Sequence, residues 1–147
     1  MHPSCSVVAI ILSLTLATAR SARADWIADP RTGCRVWNLN PQEQEKISWS
    51  GPCKGGLAHG HGVLQWFLKD RRGDRYEGEL RDGRQNGYGI LVKPNGDRFE
   101  GVWRDGKANG PGRIVRSNYN YDALWIDGCA QDGNTWIGIG RTASTCQ

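Results

Sequence analysis

Long apolar stretches and a strong excess of charge are both missing from this sequence of 147 residues. Its longest apolar run, Val7 to Leu16, is shorter than the ~20 residues that a membrane-spanning helix requires. Lys and Arg number 19 against 15 Asp and Glu, so the formal net charge is +4. Neutralising the phosphates of a nucleic acid takes a larger basic excess than this. The composition therefore predicts no nucleic-acid partner.

Motifs that carry catalysis are also missing from the sequence. No glycine-rich phosphate loop precedes a helical pattern, and no Ser or Cys occupies a nucleophile motif beside a plausible base. The cysteine spacings fit neither a zinc ribbon nor a Cys-x-x-Cys redox pair. We therefore expect a protein without enzymatic activity, bound metal or cofactor.

Residues 1–24 have the pattern of a secretory signal peptide. The apolar run is followed by Ser21-Ala22-Arg23-Ala24, which places small residues at −3 and −1 from a cleavage site before Asp25. An uncleaved membrane anchor is the alternative, although the run is short for one. Cleavage predicts a secreted or periplasmic protein, and it would leave 17 Lys and Arg against 15 Asp and Glu, a net charge of +2.

Glycine, by contrast, is abundant, and its 20 residues are placed periodically. The segment from Gly73 to Val115 contains one pattern twice, offset by 23 residues. The recurring glycines are Gly78, Gly83, Gly87 and Gly89, which correspond to Gly101, Gly106, Gly110 and Gly112. Glycine at fixed offsets marks positions where φ is positive or where another part of the chain approaches the backbone closely. The repeated feature is therefore a backbone geometry.

Two further copies flank this central pair. Trp49 begins a first copy with the same glycine offsets, and a four-residue insertion after Gln65 separates it from the second. Tyr121 begins a degraded fourth copy, in which Asp132 and Asn134 replace the last glycine pair. The chain thus divides into the signal peptide (1–24), an N-terminal cap segment (25–48), a repeat array (49–140, copies starting near 49, 76, 99 and 121) and a C-terminal tail (141–147).

Each copy has the side-chain alternation of a β-hairpin. Tyr76, Gly78 and Leu80 lie on one face of a strand, and Arg81-Asp82-Gly83-Arg84 then supplies a turn before the second strand. A single hairpin is only marginally stable, so stacking must let each copy bury its apolar face against the next. The predicted fold is all-β: an elongated, single, twisted antiparallel sheet of about four stacked β-hairpins with disulfide-stapled ends.

Four cysteines follow the signal peptide, and an even number in a small exported protein predicts two disulfides. Successive hairpins advance by about 10 Å along a sheet, which places Cys53 roughly 30 Å from Cys129. A disulfide tolerates only about 7 Å between Cα atoms. An extended array therefore excludes a bond between these two, and we predict Cys34–Cys53 and Cys129–Cys146, one at each end.

An aromatic column recurs with the repeat, and it admits two interpretations. Its rings can lie over the strand glycines as packing, or they can line an open, concave sheet face that receives a peptide, a strand or a carbohydrate. We predict a candidate binding face on this column, with the rings of Trp49, Tyr76, Phe99, Trp103, Tyr121 and Trp125.

The inserted segment between the first two copies is basic. Its cations, Lys69, Arg71, Arg72 and Arg75, could contact anionic headgroups or an acidic patch on a partner, and a solvated hairpin loop is the simpler alternative. The sequence thus predicts a candidate anionic-partner loop here.

Two other groups of side chains suggest chemistry that their repeat positions argue against. Glu77, Glu100 and Asp122 form an acidic column, which fits a polar face paired with arginines better than a pair of catalytic carboxylates. His59 and His61 resemble a metal-binding pair but occupy variable positions beside a turn, so we predict a solvated pair without a metal.

The repeating residues resemble the MORN repeat (membrane occupation and recognition nexus). The resemblance rests on Tyr76-Glu77-Gly78-Glu79-Leu80 with Gly83 and Gly87-Tyr88-Gly89, and on Phe99-Glu100-Gly101-Val102-Trp103 with Gly106 and Gly110-Pro111-Gly112. It extends in weaker form from Trp49 to Gly140. The resemblance implies stacked β-hairpins and a non-catalytic interaction module. We expect a small, stand-alone, exported member that binds a protein partner as a scaffold, with binding of phospholipid headgroups as the alternative.

Overall fold

The computed structural model describes residues 23–146, and their secondary structure is almost entirely β. One turn of 3-10 helix, Ala143–Thr145, follows the last strand, and no helix within the described range is long and apolar enough to cross a membrane. The strands are β1 (Asp25–Ala28), β2 (Arg35–Asn38), β3 (Glu45–Trp49), β4 (Cys53–Lys54), β5 (Leu57–Ala58), β6 (Gly60–Leu68), β7 (Arg71–Arg81), β8 (Arg84–Val92), β9 (Arg98–Arg104), β10 (Lys107–Arg116), β11 (Tyr119–Trp125), β12 (Cys129–Asp132) and β13 (Thr135–Gly138).

Seven of these strands form one large antiparallel sheet in the order β11-β10-β9-β8-β7-β6-β3. The second and third copies of the repeat are the hairpins β7–β8 and β9–β10. The first copy pairs β3 with β6, and its tip is the short hairpin β4–β5. The predicted all-β array of hairpins, with a disulfide at each end, is therefore confirmed.

The large sheet is accompanied by two small ones that the sequence did not predict. The cap strands β1 and β2 join the tip of the first copy in the order β1-β2-β5-β4, with a parallel pairing between Arg35 and Leu57. At the other end, β12 lies outside the large sheet and pairs with β13. The fourth copy is thus only half a hairpin in the large sheet. In this copy Asp132 and Asn134 occupy the positions where the earlier copies have glycine.

The hairpin tips are stacked by a hydrogen bond that recurs along the array. Each tip is a two-residue turn with positive φ at both residues, as at Asp82 (48°) and Gly83 (75°), which is the turn that suits the twist of a hairpin. The turn glycine donates its N–H to a carbonyl of the preceding copy. The three bonds are Gly83 N to Ala58 O (2.8 Å), Gly106 N to Gln85 O (3.0 Å) and Gly128 N to Ala108 O (2.7 Å).

A row of glycines crosses the large sheet from β6 to β10. Cross-strand pairing aligns Gly62, Gly78, Gly89, Gly101 and Gly112 in register, and Ala123 continues the row on β11. The side of the sheet on which a Cβ would project from this row, here called the inner face, carries the core. Successive copies therefore present the same flat strip of backbone to the aromatic rings.

Candidate functional site

The predicted aromatic binding face is part of the core. Its rings are between 0% and 2% exposed in five of the six cases, Trp49, Tyr76, Phe99, Trp103 and Trp125. Only Tyr121 is half-buried, and its hydroxyl donates to the carbonyl of Gln131 at 2.6 Å. A partner cannot reach side chains that the protein already covers. The hypothesis of an open aromatic face is wrong for these five residues.

The buried rings are held by contacts within the protein. Four of them meet edge to face in a continuous series, with centroid separations of 5.5 Å for Tyr76–Trp103, 5.3 Å for Phe99–Trp103 and 5.2 Å for Phe99–Trp125. The Tyr76 hydroxyl donates to the carbonyl of Glu79 at 3.0 Å. Burial, and then the charge of Glu79, raises the pKa of Tyr76 well above its ordinary value. This ring therefore stays neutral and structural.

The basic segment is not a loop. Lys69 and Asp70 both have positive φ and form a tight turn, so the insertion lengthens β6 and β7 and places Arg71 and Arg72 on a strand. Lys69, Arg71 and Arg72 are exposed, whereas the Arg75 guanidinium donates to the Glu77 carboxylate at 2.8 Å. The cationic surface is consequently a rigid hairpin tip made by the first three residues.

The acidic column is occupied by ion pairs on the outer face of the sheet, opposite the core. Glu77 pairs with Arg75, Glu100 pairs with Arg98, and the Asp122 carboxylate receives two hydrogen bonds from Arg113. The bonds from Arg113 hold the pKa of Asp122 below its ordinary value. This arrangement is that of a solvated polar face.

The two histidines are separate in their contacts. His59 lies 3.5 Å from the Asp82 carboxylate, and His61 is exposed. Within residues 23–146, no three His, Cys, Asp or Glu side chains are grouped as metal ligands would be.

An open groove lies on the inner face, between the two ends of the chain. Its volume is about 830 Å³. The floor belongs to the sheet, with Trp66, Leu68, Asp74 and Leu91, and Trp103 lies deeper. The repeat pattern does not predict this groove, because the walls of the groove come from segments outside the repeat.

The wall at one side of the groove is the N-terminal cap segment. Trp37, Asn38, Leu39, Asn40 and Gln42 line it. The segment is fixed to the array by two backbone bonds, from Arg35 N to Gly56 O (3.0 Å) and from Trp37 N to Gly83 O (2.8 Å). The Arg84 guanidinium lies over the rings of Trp26 and Trp37, a cation–π arrangement that adds to the attachment.

The opposite wall is the C-terminal end of the chain, where Gly140, Arg141, Thr142 and Thr145 line the groove. Ile139 joins this wall to the third and fourth copies, because its carbonyl accepts from Ala108 N (3.2 Å) and its N–H donates to Gly128 O (2.8 Å). Each wall is also tied to the array by a disulfide. Cys34 bonds to Cys53 and Cys129 bonds to Cys146, with Cα separations of 5.7 Å and 5.6 Å.

Two comparisons with known proteins bear on this arrangement. A sequence model of the MORN repeat matches residues 54–67, 76–98 and 99–121. No curated protein matches the chain significantly. The matched stretches include Trp66, Leu91 and Trp103 of the groove, whereas Leu68, Asp74 and the two walls lie outside them.

Proposed function

We propose that this protein binds a segment of a protein partner. The chain belongs to the MORN-repeat family, whose members commonly act as binding modules for proteins or lipids. The binding site is the groove of the inner face, and the role is that of a non-enzymatic scaffold. The proposed site is therefore the surface between the two walls and not the column of buried aromatic rings.

The groove itself is the observation that carries this proposal. It combines apolar side chains, among them Leu39, Leu68 and Trp66, with amides and a few charges at its sides. Clefts of this size and mixed lining are typical ligand sites in proteins. Leu39 and Leu68 are 46% and 36% exposed, so they are open to a partner in the way that the core rings are not.

We also propose that the protein works outside the reducing cytoplasm, either secreted or in a periplasm. Both walls of the groove depend on disulfides, which persist in oxidising compartments. The predicted signal peptide lies outside residues 23–146, apart from Arg23 and Ala24 at its end.

The test places a photo-crosslinking amino acid in the groove. It replaces Leu39 in one variant and Leu124, which is 67% exposed on the outer face, in the control. Irradiation in the native compartment should capture a protein from position 39 that position 124 does not capture. A charge introduced on the floor of the groove, Leu68→Asp, should abolish that capture. Identical products from both positions would contradict a groove-specific partner.

A second candidate function is binding of anionic phospholipid headgroups by the hairpin tip. Lys69, Arg71 and Arg72 are exposed there, and within the described residues none of the three forms a salt bridge. Vesicles containing phosphatidylserine should then sediment with the protein at low salt and lose it at high salt. Replacing all three cations with Gln should remove this binding. Failure to bind at low salt would exclude the lipid candidate.

A further inference from the structure

We infer that the segment bound in the groove carries a basic side chain, arginine or lysine, which pairs with the Asp74 carboxylate between apolar neighbours. This inference rests on the proposed function and specifies the chemistry of the partner. It predicts an extended segment with a cation flanked by apolar side chains.

Asp74 is presented to the groove by an irregularity in the sheet. Gln65 pairs with Arg75 and Phe67 pairs with Arg72, so Gly73 and Asp74 together face the single residue Trp66. This is a β-bulge, which redirects side chains locally. The carboxylate therefore lies on a rigid strand beside an indole.

The bulge is fixed by a buried amide. The Gln65 side-chain nitrogen donates to the carbonyls of Trp66 (2.8 Å), Gly73 (3.0 Å) and Asp74 (3.1 Å), and Gln65 is 8% exposed. Because these bonds hold the backbone on both sides, the backbone position from which the Asp74 side chain projects is fixed before any partner arrives. A preformed acceptor of this kind lowers the entropic cost of binding.

The charge of Asp74 is the one groove charge that the described part of the chain leaves without a bonded partner. Lys107 and Arg141 both pair with Asp127, at 2.8 and 2.9 Å. The Glu45 carboxylate accepts from the Asn38 side chain and from the Gln42 N–H. The Asp74 carboxylate takes part in no hydrogen bond or salt bridge among residues 23–146, and Lys93 acts on it only through its charge.

The surroundings of Asp74 favour pairing with a cation. Burial raises its pKa, and the charge of Lys93 offsets this only in part, so a positive charge supplied by a partner would stabilise the ionised form. Trp66, Leu68 and Leu91 line the same part of the groove. Arg and Lys have long apolar stems that pack on such surfaces, and their charged ends are attracted by an indole face.

An acidic segment fits the groove poorly. It would meet Asp74 directly, and the two cations that line the groove, Lys107 and Arg141, already share the counter-charge of Asp127. The Asp74 carboxylate can thus bond to a basic side chain in the groove, whereas it repels an acidic one.

The experiment selects a phage-displayed library of random 12-residue peptides on the full, oxidised protein. Arg or Lys flanked by apolar residues should be enriched among the bound peptides. One selected peptide is then compared with its counterpart in which Gln replaces the basic residue. On the wild type the counterpart should bind about 10- to 100-fold more weakly.

Protein variants then assign that loss to Asp74. On Asp74→Asn the two peptides should bind with nearly equal affinity, because the charge that distinguishes them is gone. Asp122→Asn, which removes an exposed carboxylate of the outer face, is the matched control and should keep the full difference. The unfolding midpoint of Asp74→Asn should equal that of the wild type or exceed it, since the charge has no bonded partner in the described chain.

The outcomes separate the two proposals. Peptides that bind in the groove, as shown by loss of binding on Leu39→Asp, but without a basic preference overturn the inference about Asp74 alone. Peptides insensitive to Leu39→Asp, or an empty selection, overturn the proposed function and the inference with it. The inference is also overturned if Asp122→Asn reduces the affinity difference between the two peptides as much as Asp74→Asn does.

Discussion

At the level of single residues, the aromatic rings and the strand glycines depend on each other. A Cβ added at Gly89 would lie 2.3 Å from the Tyr76 hydroxyl oxygen and 2.5 Å from ring carbons, and the row repeats this relation at Gly101 and Gly112 with Phe99. Glycine is destabilising within a strand, but the covering ring compensates by packing on the bare backbone. The repeat therefore specifies a pair of residue types in contact.

Gly89→Ala should destabilise the protein by about 1–3 kcal/mol, because the added methyl group displaces a fully buried ring. Gly73→Ala is the matched control. Its Cβ would lie 3.5 Å or more from its neighbours and its φ lies outside the left-handed region, so we expect little change. Urea unfolding of the oxidised proteins measures both. Equal losses for the two variants would show that ring contact does not explain the glycine row.

Asp29 is a buried carboxylate that joins the N-terminal cap segment to the edge strand β3. It accepts from Trp49 N at 2.8 Å and from Arg31 N at 2.8 Å, and it pairs with the Arg31 side chain. Burial by itself would raise the pKa of Asp29, but these hydrogen bonds and the charge of Arg31 bring it below its ordinary value. The ionised form is therefore the one that stabilises the fold.

Asp29→Asn should lower the free energy of unfolding by about 1–3 kcal/mol near pH 7, because one amide hydrogen must face a backbone donor. Since the folded pKa is lowered, the stabilisation is complete above the unfolded pKa of about 3.9 and is lost as the pH falls through the folded value. The difference between wild type and variant should thus shrink toward about pH 2. Urea titrations at several pH values test this, and a constant difference would contradict it.

At the level of elements, the array and the two walls of the groove have different origins. The hairpins follow from the period of the sequence and pack against their immediate neighbours. The walls have no period, and each is held by a few backbone bonds, side-chain contacts and one disulfide. The groove therefore depends on the least regular parts of the chain.

Removing the C-terminal disulfide should detach one wall and leave the array folded. The double variant Cys129→Ser/Cys146→Ser opens a loop with a sequence separation of 17, which in the chain-entropy model costs about 3 kcal/mol. Trypsin should then cleave after Arg141 faster than in the wild type. In Cys34→Ser/Cys53→Ser, the matched control, cleavage at Arg141 should stay slow. Protection of Arg141 in both variants would mean that the backbone bonds of Ile139 are sufficient.

At the level of the whole molecule, the contacts connect neighbours along the sheet. Strand order follows the chain from β6 to β11, and each hairpin tip bonds to the preceding one. Stability in such an array is close to a sum of units and of the interfaces between them. The two disulfides lie on the first and last copies, at opposite ends of this series.

The destabilising effects of losing the two disulfides should therefore add. We expect the variant lacking all four cysteines to lose the sum of the two double-variant losses within about 0.5 kcal/mol. Chemical denaturation of the two double variants and the quadruple variant measures this. A quadruple variant that deviates from the sum by more than about 1 kcal/mol would show that the ends communicate through the array.

The sequence by itself determined the repeat geometry, because its causes are local. Gly-Gly at the first tip and Asp-Gly at the next three select the hairpin turn, strand glycines select the covering ring, and the period brings the same pairs together in successive copies. The two disulfides at the ends also follow from this spacing. These features require no knowledge of how distant segments meet.

Only the tertiary structure decided which surfaces are covered and which are open and concave. The aromatic column could have been open or covered, and burial by neighbouring copies and by the non-repeating ends closed it. The groove exists because the cap segment and the tail pack on the array from opposite ends of the chain. Asp74 became available through a β-bulge fixed by Gln65. The physical reason is that burial and concavity come from contacts between residues far apart in sequence. A periodic sequence pattern does not specify those contacts.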